Sequence, residues 1–158
     1  MRRQPGRVAL VLASVAALIA LPAAVAGSAA DPGVTPTTIL LGGTSPLTGP
    51  AAAYASVARG AHAYFDSINA KGGVAKRKIE YKILDDGYNP AQTVQMVRQL
   101  VEQDQVFAVF NTLGTEHNLA VREYLNQKKV PQLFVASGAT TWGLDAATYP
   151  WTIGFQPS

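Results

Sequence analysis

From Thr38 onward the spacing of apolar residues changes period several times. Thr38-Ile39-Leu40-Leu41-Gly42-Gly43 is a short β-branched and apolar run bounded by glycine, the pattern of a buried strand. Between about Tyr54 and Ala70, Val57, Ala61, Tyr64, Phe65 and Ile68 recur at three- and four-residue steps, which predicts a helix with that face inward, ended by Gly72-Gly73. Lys78 to Leu84 alternates charged and apolar residues, as a half-exposed strand at a sheet edge does. Asn89-Pro90 offers a cap and a first-turn proline for a second helix, whose buried stripe is Val94, Val97, Leu100 and Val101. Val106 to Phe110 has no polar residue and predicts a strand buried on both faces. A third helix is expected over roughly Glu116 to Gln127 with Leu119, Ala120, Tyr124 and Leu125 inward. It leads to a fourth strand over Pro131 to Ala136 and a fifth over Trp151 to Phe155.

Strands and helices alternate, so the expected fold class is α/β: a three-layer parallel sheet with helices on both faces and right-handed crossovers. The apolar third strand belongs in the middle and the charged second strand at the edge, which gives the order 2-1-3-4. That order has a switch point between the first and third strands, and ligands bind beyond the carboxyl ends of the strands there. Three loops meet at that edge: Thr44 to Tyr54, Asn111 to Thr115 and Ser137 to Trp142. Before Glu116 none of them carries a charged side chain. Leu113-Gly114-Thr115 runs into a helix start, whose amides and positive dipole end suit a small anion. Ser137-Gly138-Ala139-Thr140 adds hydroxyls and amides, and Tyr54 or Trp142 is placed to wall the crevice. The ligand these loops suit is small and carries a carboxylate. Gly, Ser and Thr after strands are also ordinary turn residues, so the expectation rests on the convergence of three loops.

Charge enters through its position. Arg2, Arg3 and Arg7 precede a 19-residue uncharged stretch, Val8 to Ala26, that contains Pro22 and ends in small residues. This is the layout of an export signal cleaved after Ala26, at residues 1–26; its length is also near that of a membrane anchor, against which Pro22 and the small residues argue. Arg2-Arg3 is a weak hint of twin-arginine export that the following residues do not support. Residues 27–37 are expected to be a flexible leader and residues 38–158 a ligand-binding lobe. Removing residues 1–26 takes Lys+Arg from 13 to 10, equal to the 10 Asp+Glu. A formally neutral chain has no electrostatic case for a nucleic-acid partner, and Lys76-Arg77-Lys78 reads as a solvated turn.

Catalytic chemistry finds little support. The 158 residues include no Cys, which removes disulfides, thiolate metal sites and thiol nucleophiles, and their 48% apolar content predicts a packed core. No Gly-x-Gly-x-x-Gly, no phosphate-loop signature and no Gly-x-Ser-x-Gly elbow is present. His62 and Asp66 sit one turn apart, which suggests a metal or proton site but reads more simply as an exposed helix face. His117 lies at a helix start beside Glu116, itself explained by the helix dipole. Asp85-Asp86 resembles half of an acidic metal pocket without a third ligand, and otherwise a solvated turn. No catalytic residue, metal site or cofactor is expected.

Ser45-Pro46-Leu47-Thr48-Gly49-Pro50 followed by Tyr54, then Ile68-Asn69-Ala70-Lys71-Gly72-Gly73-Val74, Asp85-Asp86 with Asn89-Pro90, and Val130-Pro131 leading to Ser137-Gly138-Ala139-Thr140, together resemble the periplasmic substrate-binding proteins of branched-chain amino acid type ABC transporters. The resemblance covers Ile39 to Phe155. It implies a type I periplasmic binding fold, in which two α/β lobes close on a ligand and deliver it to a membrane permease. This chain would hold most of the first lobe. It further implies that Gly114-Thr115 and Gly138-Ala139-Thr140 hold the carboxylate of an amino acid or related carboxylate or amide, that Tyr54 lines the pocket, and that the protein works in the periplasm or outside the cell. An extracellular sensing domain of a receptor is the alternative on the same clamp, and an exported α/β hydrolase the alternative from another class. Intact mass of the exported chain is expected to lack residues 1–26; a mature protein that keeps Arg2, Arg3 and Arg7 would contradict the cleavage site.

Overall fold

Thr38–Ser45 form β1, and the paired glycines in its middle decide how closely its neighbours approach. A Cβ on Gly42 would stand 2.8 Å from Leu100 Cδ2, and one on Gly43 would stand 2.6 Å from the Phe110 carbonyl oxygen. The computed structural model describes residues 31–157, so the expected export signal at residues 1–26 lies outside the described residues. After β1 come a 3-10 turn at Ala52–Tyr54, α1 (Ala55–Ala70), β2 (Lys78–Asp85) and α2 (Pro90–Glu102). The chain continues through β3 (Ala108–Phe110), α3 (Thr115–Lys128), β4 (Gln132–Val135), a short α4 (Thr141–Leu144) and β5 (Thr152–Gly154). All the strand pairs are parallel, in the order β2-β1-β3-β4-β5. The expected order 2-1-3-4 holds, with the fifth strand beside the fourth.

Helices lie on both faces. On one, Val97 and Leu100 of α2 and Val121 and Leu125 of α3 close over Val106 and Val109, all at most 2% exposed. Each such side chain contributes about 1.5–3 kcal/mol by leaving water. The Asn89 side chain accepts from the Ala91 amide at 2.9 Å and Pro90 opens α2, as its dipeptide predicts. On the other face Phe65 of α1 packs on Leu41 and Ala108. The half-buried Tyr81 donates its hydroxyl to the Phe110 carbonyl at 3.0 Å, and desolvation pushes its pKa up.

Three expectations need correction. The first half of α3 is turned over: Leu119 is 47% exposed and Ala120 is exposed, whereas His117, Asn118 and Arg122 are buried. The reason is that these polar side chains serve the loops beyond the sheet, as described below. On α1, Val57 and Tyr64 are exposed although their spacing places them with Phe65. Residues 31–37, expected to be flexible, are tied to the sheet. Leu40 N donates to Gly33 O at 2.7 Å, Lys78 N donates to Thr37 O at 2.8 Å, and the Thr35 hydroxyl accepts from Thr38 N. The segment satisfies backbone groups at the amino ends of β1 and β2, which would otherwise lack partners.

Val57 and Tyr64 border the part of the sheet that α1 does not reach. There Phe65, Phe110, Phe134 and Phe155 follow one another in edge-to-face contacts with centroids 5.2, 5.8 and 6.4 Å apart. They line an almost wholly apolar groove of about 480 Å³, with Phe134 and Phe155 exposed. An uncovered apolar surface of this kind favours association. The 158-residue chain is expected to self-associate in sedimentation, and Phe134→Ser with Phe155→Ser to reduce it; a cooperatively melting monomer at all concentrations would contradict this.

Candidate functional site

At the carboxyl edge the backbone itself joins two of the three loops. Gly114 N donates to Ala136 O at 3.2 Å and Ala136 N donates to Thr112 O at 3.1 Å, so the segments after β3 and β4 run side by side. This brings the Thr115 and Ser137 hydroxyls to 2.7 Å, while the Ala139 amide donates to Ser137 Oγ at 3.3 Å. Gly114 precedes α3 at φ +104, and a Cβ there would overlap His117 at Nδ1, so only glycine fits. No side chain caps α3. Its first-turn amides and positive dipole end therefore point to the space beyond Thr115, a setting for an anion.

The loop geometry is held from below by the inward polar face of α3. Asn118 Nδ2 donates to the carbonyls of Thr112 at 2.8 Å and Gly114 at 2.7 Å. Gln132 Nε2 donates to Asn118 Oδ1 at 3.0 Å, and Thr152 Oγ1 donates to Gln132 Oε1 at 3.0 Å. Asn126 Nδ2 completes the chain by donating to Thr152 Oγ1 at 2.8 Å. Asn118, Gln132 and Thr152 are buried, and each amide finds partners that an apolar residue could not supply. Arg122 does the same for the segment after β4. Its guanidinium grips both Asp145 carboxylate oxygens, at 2.6 and 2.8 Å, and lies 5.0 Å from the Trp142 ring centroid and 4.1 Å from that of Tyr149. Beside it the Asp145 carboxyl is held below its usual range, chiefly by the hydrogen bonds from Arg122.

The loop after β1 is latched by Asp85. Its Oδ1 accepts from the Leu47 amide at 2.9 Å and its Oδ2 from the Thr48 hydroxyl at 2.6 Å, with Gly87 N at 3.0 Å closing the turn. Asp86 is fully buried and accepts from Tyr88 N at 3.1 Å and Thr93 Oγ1 at 2.9 Å. The pair is therefore neither a solvated turn nor half of a metal pocket; the carboxylates replace backbone partners for two adjoining loops. His62 Nδ1 meets Asp66 Oδ2 at 3.2 Å on an exposed helix face. Among the described residues no cluster of three metal-ligating side chains occurs.

The expected site residues fall into two adjoining cavities. Tyr54, Gly114 and Thr115 line one of about 610 Å³, within the range of small-ligand pockets. Ala139 and Thr140 line a second, of about 330 Å³, with Trp142 and Gly154. Gln156 borders both. Ser137 is buried between them through its bond to Thr115, and Gly138 lies against the Pro157 carbonyl. Trp142 is buried beneath the second cavity and packs on Arg122, so Tyr54 alone of the two expected walls stands open, 60% exposed. Sequence reasoning missed Tyr88, whose ring borders the larger cavity from the turn after β2, and Gln156. His117, read from the sequence only as a helix-start residue, lies buried behind Tyr88: the ring is 2% exposed, and neither nitrogen has a hydrogen-bond partner among the described residues. Such a buried group costs on the order of 1–3 kcal/mol. An Asp-Asp-Gly-aromatic turn before an Asn-Pro helix start was the available signal for Tyr88.

A parallel sheet of order 2-1-3, with uncharged loops and an uncapped helix start above its switch point, defines an α/β ligand-binding domain. Residues 38–158 match the family described as periplasmic binding protein, and the chain belongs to that family. Over 72 residues it is 39% identical to a Leu/Ile/Val-binding protein of Rhizobium johnstonii, covering 45% of this chain and 20% of that one. A crystal structure described as a possible leucine/isoleucine/valine-binding protein of Rhodopirellula baltica superposes with a TM-score of 0.67 at 28% identity, covering 75% of this chain and 31% of the other. A fatty acid ABC transporter substrate-binding protein of Thermomonospora curvata does so at 0.57 and 33% identity, over 64% and 26%. The chain thus spans between about a fifth and a third of the length of these relatives.

The Asp85 latch has a pH signature. Hydrogen bonding, led by the Thr48 hydroxyl, holds the carboxyl below its ordinary value near 3.8 against the opposing effect of partial burial. A carboxyl depressed in the folded state contributes its stability in full above the unfolded pKa and loses it as pH falls through the lower folded one. Protection of the Leu47 and Thr48 amides, taken against the intrinsic exchange rate at each pH, is therefore expected to fall below about pH 4, and Asp85→Ala to remove that protection at neutral pH; unchanged protection in the variant would remove the latch.

Proposed function

We propose that the chain is the first-lobe portion of an extracytoplasmic solute-binding component of an ABC importer. It holds a small amino acid or related carboxylate or amide between two lobes and passes it unchanged to a membrane permease. The observation that carries this reading is the uncapped start of α3 beside the paired Thr115 and Ser137 hydroxyls: uncharged donors gathered at one cavity. In the carboxylate reading, the ligand carboxylate accepts from the first-turn amides of α3 and from Thr115 Oγ1. Ser137 orients that hydroxyl, the Gly138-Ala139-Thr140 segment supplies further amides, and Tyr54 covers the apolar part of the ligand. Donors aligned on a helix dipole hold an anion without a full opposing charge, which favours a ligand that must later be released.

Two relatives support the choice of ligand group. One is named for leucine, isoleucine and valine and another for fatty acid, and a carboxylate is what those ligands share. That the ligand is passed on unchanged follows the family to which the chain belongs, whose relatives are named for binding. The Ser137 hydroxyl is buried behind the cavity, where it meets Thr115 and accepts from the Ala139 amide, a positioning role.

Titration of the chain with amino acids and small carboxylates, followed by thermal shift and calorimetry, is expected to find a stabilising carboxylate ligand. Thr115→Val should weaken its binding roughly 10- to 100-fold, the worth of a hydrogen bond to a charged group. Turnover of the ligand that disappears in Ser137→Ala would overturn the binding-only reading, and full affinity in Thr115→Val would overturn the placement of the carboxylate.

A further inference from the structure

We infer that Tyr88 is a ligand-contacting wall of the cleft, set in place by His117, and that the pair selects carboxylates carrying a flat aromatic group. The inference rests on the carboxylate site proposed above and names the ligand class for it.

Tyr88 occupies the turn between β2 and α2 at φ +60, a left-handed conformation uncommon for a bulky residue. The conformation is held by the turn's own hydrogen bonds, Tyr88 N to Asp86 Oδ1 at 3.1 Å and Asn89 N to Asp86 O at 2.9 Å, and it fixes where the ring goes. The turn is rigid on both sides of it: Asp85 accepts from Gly87 N, and Asp86 accepts from Tyr88 N and the Thr93 hydroxyl. From this position the Tyr88 ring reaches across to α3 and lies on the His117 imidazole, with centroids 4.3 Å apart and planes tilted by 34°. His117 offers no hydrogen bond to any described residue and is sealed beneath Gly114, whose missing Cβ makes room for the ring. What it contributes is a flat, immobile face. A long aliphatic side chain would fill the volume without fixing the plane of the tyrosine.

The other face of Tyr88 remains open, with the residue 42% exposed, and it borders the same cavity as Tyr54, Gly114 and Thr115. A carboxylate held at Thr115 therefore places its substituent beside two tyrosines. Aromatic rings attract one another in offset or edge-on contact, an interaction a saturated ring of similar bulk does not make. In this arrangement Tyr88 touches the ligand and His117 is a positioning residue.

The test is calorimetric titration of the full chain with benzoate and with cyclohexanecarboxylate, which share the carboxylate and differ in the ring. Benzoate is expected to bind roughly three- to tenfold more tightly, the worth of one aromatic contact. Tyr88→Leu should lower the ratio toward the smaller preference that Tyr54 alone supplies, with the melting temperature retained, whereas Tyr88→Phe should preserve it. His117→Ala should reduce the ratio and His117→Phe should restore it, a rescue that mere core filling would not show. Equal binding of the two acids, binding of leucine without benzoate, or an unchanged ratio in Tyr88→Leu would overturn the aromatic selection and leave the carboxylate site standing. Failure of every carboxylate and amino acid to bind would instead overturn the site on which the inference rests.

Discussion

The carboxyl edge of this sheet depends on one buried side-chain amide. Asn118 holds the carbonyls of Thr112 and Gly114 from within α3, and so sets the direction in which the chain leaves β3 and enters the helix. The path determines where the Gly114 amide meets Ala136 in the segment that follows β4, and that pairing in turn sets Thr115 against Ser137. Gln132 and Thr152 extend the same support to β4 and β5, so the loops are registered against the sheet by hydrogen bonds. Directional bonds suit this task better than apolar packing, which resists compression but leaves a loop free to slide.

Such a design explains which parts of the protein were legible in advance. The order of strands followed from the apolar β3 and the charged β2, because burial of a strand is written directly into its composition. Val97, Leu100 and Leu125 behaved as their spacing requires. The first turns of α3 did not, since periodicity takes polar side chains to face water, and here His117, Asn118 and Arg122 face the protein while Leu119 does not. The same assumption failed at Asp85-Asp86 and at residues 31–37. In each case polar groups are used internally to complete the hydrogen bonding of a neighbouring segment, and the partner lies far away in sequence: 38 residues for Asp85 and Leu47, 42 for Arg77 and Thr35. Single-sequence patterns carry no information about such partners.

For the site, legibility stopped at the loop level. That the segments after β1, β3 and β4 converge follows from topology alone, and Tyr54, Gly114 and Thr115 do share a cavity. The division of the remaining residues between two cavities depends on Gln156 and the Phe155–Pro157 segment, whose path no periodicity foretells. The prominence of Tyr88 comes from a positive φ, a property of the folded turn.

Arg122 leaves the segment after β4 fastened in two unlike ways. Its grip on Asp145 is ionic and is undone by protonating the carboxylate, whereas its bonds to the Thr141 hydroxyl and carbonyl, both 3.2 Å, and its lodging between Trp142 and Tyr149 do not depend on that charge. Acidification therefore removes one pin and leaves the other. The stretch from Thr141 to Tyr149 thus stays seated on α3 when the Asp145 carboxylate is neutralised, because the Thr141 bonds and the ring contacts carry no acid-labile charge.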